Sequence, residues 1–175
     1  MSYYFDLSIK KIEIKKPKRD LKPIVELQNK VDKTLPHYEY YYPTDEKTIK
    51  EYLSGDYILL GVYDRDKLIA ASFAFENGLF FSRPITDWMQ IPGNKIMCHE
   101  FVVVDMEYRG NGIQKRFMDA TIREARRMGY DTIWCCAHPD NTPSVCSIES
   151  TGYKLANTFV VDGWPRNVYY RGTAM

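Results

Sequence analysis

Val102-Val103-Val104-Asp105-Met106-Glu107-Tyr108-Arg109-Gly110-Asn111-Gly112-Ile113-Gln114 is the run on which the reading turns. The apolar stretch Phe101 to Val104 predicts the end of a strand buried on both faces. Residues 112–128 repeat apolar positions at helical spacing, and Gly129 follows where a C-cap belongs. Between strand and helix lies a tight turn carrying Gly110 and Gly112. The first N–H groups of a helix have no intrahelical acceptor, and the helix dipole adds partial positive charge there. Glycine lets a phosphate approach the backbone closely, and Arg109 adds a permanent charge. Together these are the elements of a pyrophosphate cradle.

Two common phosphate loops do not fit. A Walker loop needs a lysine followed by a hydroxyl residue after its second glycine, and neither is present. A Rossmann fingerprint needs a third glycine and a later acidic residue.

Working outward from the turn, elements alternate. Ile12 and Ile14 predict a short strand ending at Pro17, and Asp20 is the expected N-cap of a helix through Thr34. Residues 37–42 form a tyrosine-rich loop. Thr44 is the expected cap of a short helix that carries Ile49 and Leu53. Residues 56–63 and 68–75 make a hairpin about Asp64-Arg65-Asp66, and Asn77-Gly78 is a second turn. Residues 79–94 read as irregular. Residues 96–105 are a strand, 131–137 another, and 143–151 a helix. Residues 153–161 and 167–170 close the chain as strands about a Gly163-Trp164-Pro165 turn. The strands before and after the 112–128 helix should be parallel, because a helical crossover joins them.

Composition narrows the function classes. The chain has 175 residues and a net charge of +1, which suits a single domain over 1–175 and not a dedicated nucleic-acid binder. Lysines between Lys10 and Lys18 read as a solvated strand edge. No stretch reaches the roughly 20 apolar residues of a membrane span, and the N-terminal residues lack signal-peptide features, so no membrane partner and a cytoplasmic location are expected. Cys98, Cys135, Cys136 and Cys146 lack C-x-x-C spacing. They are expected as reduced thiols, with no metal.

The turn and its surroundings resemble the acetyl-CoA loop of the GNAT N-acetyltransferase superfamily. That loop runs Gln or Arg, two residues, Gly, one residue, then Gly or Ala. Arg109 and Gly112 match, and Gln114 departs from the last position. Downstream, Asn141, Pro143-Ser144, Ser147-Ile148-Glu149 and Gly152-Tyr153 resemble the second signature of the family. The resemblance covers residues 98–153. It implies a mixed α/β (α+β) fold: a mostly antiparallel central sheet of about six to seven strands flanked by helices, with a parallel pair around the CoA site.

The resemblance also implies roles. Acetyl-CoA is the co-substrate. The strand Val102, Val103 and Val104 pairs with its pantetheine arm as an added strand would. Arg109, Gly110, Asn111, Gly112, Ile113 and Gln114 hold its pyrophosphate. Asn141 hydrogen-bonds the pantetheine, with Ser144 or Ser147 nearby. An amine near pKa ~10.4 is only roughly one part in a thousand neutral at pH 7, so a base is needed. Glu100, two residues before Val102, is the candidate. Family members often carry a tyrosine general acid, and Ile148 holds its place. Tyr40, Tyr42 and Trp164 are candidate acceptor contacts. Arg166 would suit an acceptor carboxylate, or pair with an exposed acid.

The expected activity is transfer of an acetyl or other acyl group to a primary amine of a small molecule or peptide, through a tetrahedral intermediate. The alternative is an acyl-CoA-binding sensor with no catalysis. A monomer and a homodimer are both compatible with the sequence.

Overall fold

The computed structural model describes residues 7–11, 21–76, 79–81 and 83–174. The elements in chain order are β1 (Leu7–Lys11), α1 (Lys22–Asp32), α2 (Glu46–Tyr52), β2 (Tyr57–Asp64), β3 (Lys67–Glu76), β4 (Leu79–Phe80), β5 (Arg83–Pro84), β6 (Ile96–Val104), α3 (Ile113–Arg127), β7 (Thr132–Ala137), α4 (Thr142–Ser150), β8 (Lys154–Val161) and β9 (Trp164–Gly172). Short 3₁₀ turns occur at Tyr38–Tyr40, Ile85–Asp87 and Met106–Tyr108.

Seven strands form one sheet in the order β1-β2-β3-β6-β7-β9-β8. Neighbours are antiparallel except β6 and β7, which run parallel, as the α3 crossover requires. β4 and β5 make a separate two-stranded ribbon.

Alternation along the strands assigns the two faces. Ile58, Leu60 and Val62 of β2 pack with Phe117, Met118 and Ala125 of α3 and with Ile148 of α4. Leu59 of β2, Phe73 of β3, and Phe101 and Val103 of β6 pack with Ile24, Leu27 and Val31 of α1 and Ile49 of α2. A third cluster, Phe80, Ile85, Trp134 and Val168, fills one end.

The boundaries differ from the sequence reading at the α2 cap and at the last hairpin, while three expectations lie outside the described residues. The first described strand is Leu7–Lys11; the expected strand at Ile12 and Ile14, the Asp20 cap and the Asn77-Gly78 turn lie outside the described residues. Asp45, not Thr44, caps α2: its carboxylate accepts the Thr48 N–H at 2.9 Å. A carboxylate at this position is as good an N-cap as a hydroxyl and sits closer to the dipole. The last turn is Asp162-Gly163, with φ of 52° and 83°, so Trp164 opens β9 instead of forming the turn. Two consecutive positive φ values define the tight hairpin that Asp-Gly favours.

Candidate active site

β6 and β7 pair only at Ile96–Thr132, Met97–Ile133 and Cys98–Trp134. Beyond that point β6 runs on to Val104 and β7 to Ala137 without further pairing between them. The strands splay, and a cleft of about 1300 Å³ opens there. The β6 edge that faces it carries peptide groups with no β7 partner. An extended ligand can add to such an edge as a strand does.

A bulge helps to set the splay. Phe73 pairs with Phe101 and Ala74 with His99, which leaves Glu100 as the extra residue. A bulge bends its strand and re-aims the side chain it carries. Glu100 lines the cleft, and its Oε2 accepts the Cys98 thiol at 3.3 Å. Burial raises its carboxyl to about 7, and the Cys98 hydrogen bond opposes part of that rise. A group with that pKa switches between acid and base at neutral pH.

The glycine turn stands at the other end of the cleft. Gly110 has φ 80° and Gly112 has φ 66°, both left-handed. A Cβ at either would meet no heavy atom within 4 Å, so the space before them is open. Asn111 Nδ2 donates to the Tyr108 carbonyl at 2.9 Å and to the Arg109 carbonyl at 3.3 Å, which holds the turn in shape. The first backbone bond into α3 runs from Arg116 N–H to the Gly112 carbonyl. The N–H groups of Ile113, Gln114 and Lys115 therefore precede any intrahelical acceptor. Arg109 is exposed, and its Nε donates to the Val104 carbonyl at 3.3 Å.

Below the turn, Asp105 anchors the strand end. Burial resists ionisation of its carboxyl, but a 2.7 Å hydrogen bond from Lys30 and the charge of Lys67 hold its pKa below the ordinary value. Tyr108 donates to Asp64 Oδ2 at 2.7 Å and ties the turn to the β2–β3 hairpin.

α4 supplies the far wall. Asn141 occupies its N-cap position, yet its side chain makes no capping bond and lines the cleft. Gln114 Nε2 donates to Ser144 Oγ at 2.9 Å, so the residue that departs from the family pattern bridges α3 to α4. Ser147 Oγ is engaged by its own helix, donating to the Pro143 carbonyl at 2.9 Å. Ile148 packs into the core beside α3 and also lines the cleft, at the place where the family often carries a tyrosine.

The cleft thus gathers Glu100, Val102, Val104, Arg109, Gly110, Gly112, Ile113, Gln114, Asn141, Ser144, Ser147, Tyr40 and Tyr42. Three residues singled out in the sequence stand apart. Val103 is fully buried in the α1 core, because its side chain points opposite to those of Val102 and Val104. Asn111 acts inside the turn. Trp164 packs edge-on against Tyr38 at 5.5 Å and does not line the cleft.

Other residues also line the cleft, Tyr41 from the tyrosine-rich loop and two that the sequence did not single out as acceptor contacts, Tyr52 and Cys136. Tyr41 donates to Gln28 Oε1 at 2.7 Å, and burial pushes its phenol well above the ordinary range. Tyr52 is likewise raised, first by burial and then by the charge of Glu100. Cys136 on β7 is open to the cleft between Glu100 and Arg166 in the order of strands. The packing of α2 brings Tyr52 to the cleft and the order of the strands brings Cys136, and no local pattern marks either.

Does the site suit CoA? The open space before two left-handed glycines, the uncapped helix N–H groups, the exposed β6 edge and the uncommitted Asn141 side chain answer the pyrophosphate and the pantetheine amides in turn. A splayed parallel pair with a glycine turn at a helix N-terminus is an arrangement that suits a ligand with a phosphate at one end and an extended arm. Residues 24–153 match the acetyltransferase (GNAT) family, and the chain belongs to that family.

Solved structures share the fold. An N-acetyltransferase from Staphylococcus aureus superposes with a TM-score of 0.72 at 17% identity, covering 97% of this chain and 99% of that one. A Salmonella typhimurium protein solved with its cofactor acetyl-CoA gives 0.68 at 16% identity, covering 96% and 94%. An acetyltransferase of the GNAT family from Streptococcus pneumoniae gives 0.67 at 14% identity, covering 95% and 99%. No curated protein sequence matches the chain. No helix among the described residues is long and apolar enough to cross a membrane, and no cluster of metal-binding side chains occurs among them.

Proposed function

We propose that this chain moves an acetyl group, or a close acyl relative, from acetyl-CoA to a primary amine by direct attack. The observation that carries the reading is Glu100: a carboxyl set by a bulge on the cleft wall, with its pKa raised to about 7.

The glycine turn and the α3 N-terminus hold the pyrophosphate, and the free β6 edge with Asn141 holds the pantetheine arm. The thioester, when bound, supplies an activated carbonyl and a thiolate leaving group. Glu100, ionised above pH 7, takes a proton from the acceptor ammonium or from the attacking amine, directly or through water. As the N–C bond forms, a backbone N–H on the β6 edge donates to the developing oxyanion. The C–S bond then breaks. A thiol of pKa about 8.5 leaves acceptably as thiolate and takes its proton from water, so Ile148 in place of a tyrosine does not block the reaction. Tyr41 and Tyr52, with phenols raised above their ordinary range, are poor proton donors and serve as walls.

Ile148 is also the one observation that favours a second reading, an acyl-CoA-binding sensor that performs no chemistry. Release of free thiol from acetyl-CoA in the presence of a panel of amines separates the two. Turnover that depends on amine and falls in Glu100→Gln supports the transferase. Tight CoA binding without thiol release on any amine, amino acid or peptide would leave the sensor.

A further inference from the structure

Arg166 is the least explained charge in the cleft. It lies on β9, lines the cavity and is only 6% exposed. Its Nη1 donates to the Pro165 carbonyl at 2.9 Å and its Nη2 to the Glu39 carbonyl at 2.7 Å. The Glu39 carboxylate turns elsewhere, to His37 Nδ1 at 3.4 Å. Among the described residues Arg166 forms no ion pair. A guanidinium has five N–H donors in a planar fork that suits a carboxylate. Two are used, both on neutral acceptors, and the Glu39 carboxylate acts on the charge only from beyond ion-pair distance, so no carboxylate touches the fork.

Position gives this charge a use. The sheet order places Glu100 on β6, Cys136 on β7 and Arg166 on β9, so the base and the cation flank the exposed Cys136. The Cys136 thiol opens into the cleft, whose walls keep bulk water away; that loss of solvent first, and the charge of Glu100 next, raise it to about 12, while Arg166 lowers it. It therefore feels both groups. The other acids on the lining are committed or in water: Asp45 caps α2, Glu51 pairs with Lys47, and Asp162 stands in an exposed turn.

The α1–α2 loop is tied down beside the same end of the cleft. The Arg166–Glu39 bond, Tyr40 against His138 at 5.2 Å and Tyr38 against Trp164 at 5.5 Å strap it in place. A loop held there leaves less room for an extended chain than for a small molecule.

We propose that the acceptor is a small amine that also carries a carboxylate, with the amine at Glu100 and the carboxylate on the Arg166 guanidinium. This deepens the transferase reading and rests on it. A buried cation left with carbonyls alone is costly, and an anionic acceptor offsets that cost only when bound, which turns the charge into selectivity.

The test compares each acid with its own amide. Glycine, β-alanine, 4-aminobutyrate and phenylalanine are assayed with acetyl-CoA beside their carboxamides, an aminoalkyl phosphonate and a lysine peptide. At least one free acid should exceed its amide by about 10- to 100-fold in kcat/KM, mainly through KM, as loss of a charge-assisted pair implies. Arg166→Gln should lower kcat/KM on the acids far more than on the amides and so close that gap, and Arg166→Lys should keep part of it. Equal rates for acids and amides in the wild-type enzyme overturn the proposal, even if the variants do not fold. So does an equal loss on acids and amides in Arg166→Gln, which marks a staple for the loop. A preference for the phosphonate or for the peptide also overturns it, while acyl transfer stands. If no amine releases thiol, the transferase reading falls and takes this one with it.

Discussion

Cys98 donates its thiol proton to Glu100 Oε2 at 3.3 Å, two positions along the same strand and on the same side of it. The thiol's own pKa is pushed well up by burial, so it remains a donor at every pH the enzyme meets. The contact holds the carboxylate on the cleft wall and tempers the rise that burial imposes on it. The consequences can be measured.

Glu100→Gln should lower kcat/KM by about 10²- to 10⁴-fold, the usual worth of a general base. In the wild-type enzyme the rate should climb as pH rises through about 7, since the base must be ionised. The variant's residual rate should lack that limb. Steady-state pH profiles of both proteins decide it; an unchanged limb in the variant removes Glu100 from the role.

The same substitution should affect stability with a defined sign. Burial raises the Glu100 pKa above its ordinary 4.5 to about 7, so the folded chain binds the proton more tightly than the unfolded chain. Its contribution is fully present below pH 4.5 and is lost as pH rises through 7. Glutamine stays neutral throughout. Glu100→Gln should therefore melt higher than wild type at pH 8, and the gap should close near pH 4.5. A thermal melt series across that range would expose a wrong sign at once.

Gly110→Ala should cost roughly 1 kcal/mol of stability, because its φ of 80° is left-handed while its Cβ meets nothing within 4 Å. CoA affinity should fall far more, by about tenfold or more, since the methyl stands where a phosphate would approach. Calorimetry with CoA beside a thermal melt separates the two effects. Equal small losses in both would mean that nothing approaches that face of the turn.

Asn141→Ala should weaken CoA binding by about tenfold for a lost buried amide contact. Stability should change by less than the ~1 kcal/mol that an N-cap usually carries, because this side chain caps nothing. A large fall in melting temperature with unaltered CoA affinity would assign Asn141 to the fold.

Ile148→Tyr should not restore a general acid. Ile148 is 2% exposed and packed beside α3, so a phenol there overfills the core and should destabilise by about 1–3 kcal/mol. Turnover should fall or stay level. A gain in thiol release, with an alkaline limb in the pH profile, would show that the pocket can admit the ring.

Much was written in local pattern. The valine strand, the two glycines, Arg109 and the start of α3 follow from periods of two and 3.6 and from backbone sterics, which act over a few residues. The parallel pairing of β6 and β7 followed from the crossover between them. The last hairpin was read about Gly163-Trp164-Pro165, whereas the turn is Asp162-Gly163 and β9 starts at Trp164 instead of Asn167.

What the tertiary structure alone decided is everything that depends on strands distant in the chain. The bulge at Glu100 exists only as a mismatch against Phe73 and Ala74, and the cleft only because β6 and β7 stop pairing after Cys98. Arg166, near the end of the chain, meets the Glu39 carbonyl 127 residues earlier. Side chain alternation and turn chemistry are set by neighbours in sequence; register, burial and therefore the pKa of Glu100 are set by neighbours in space.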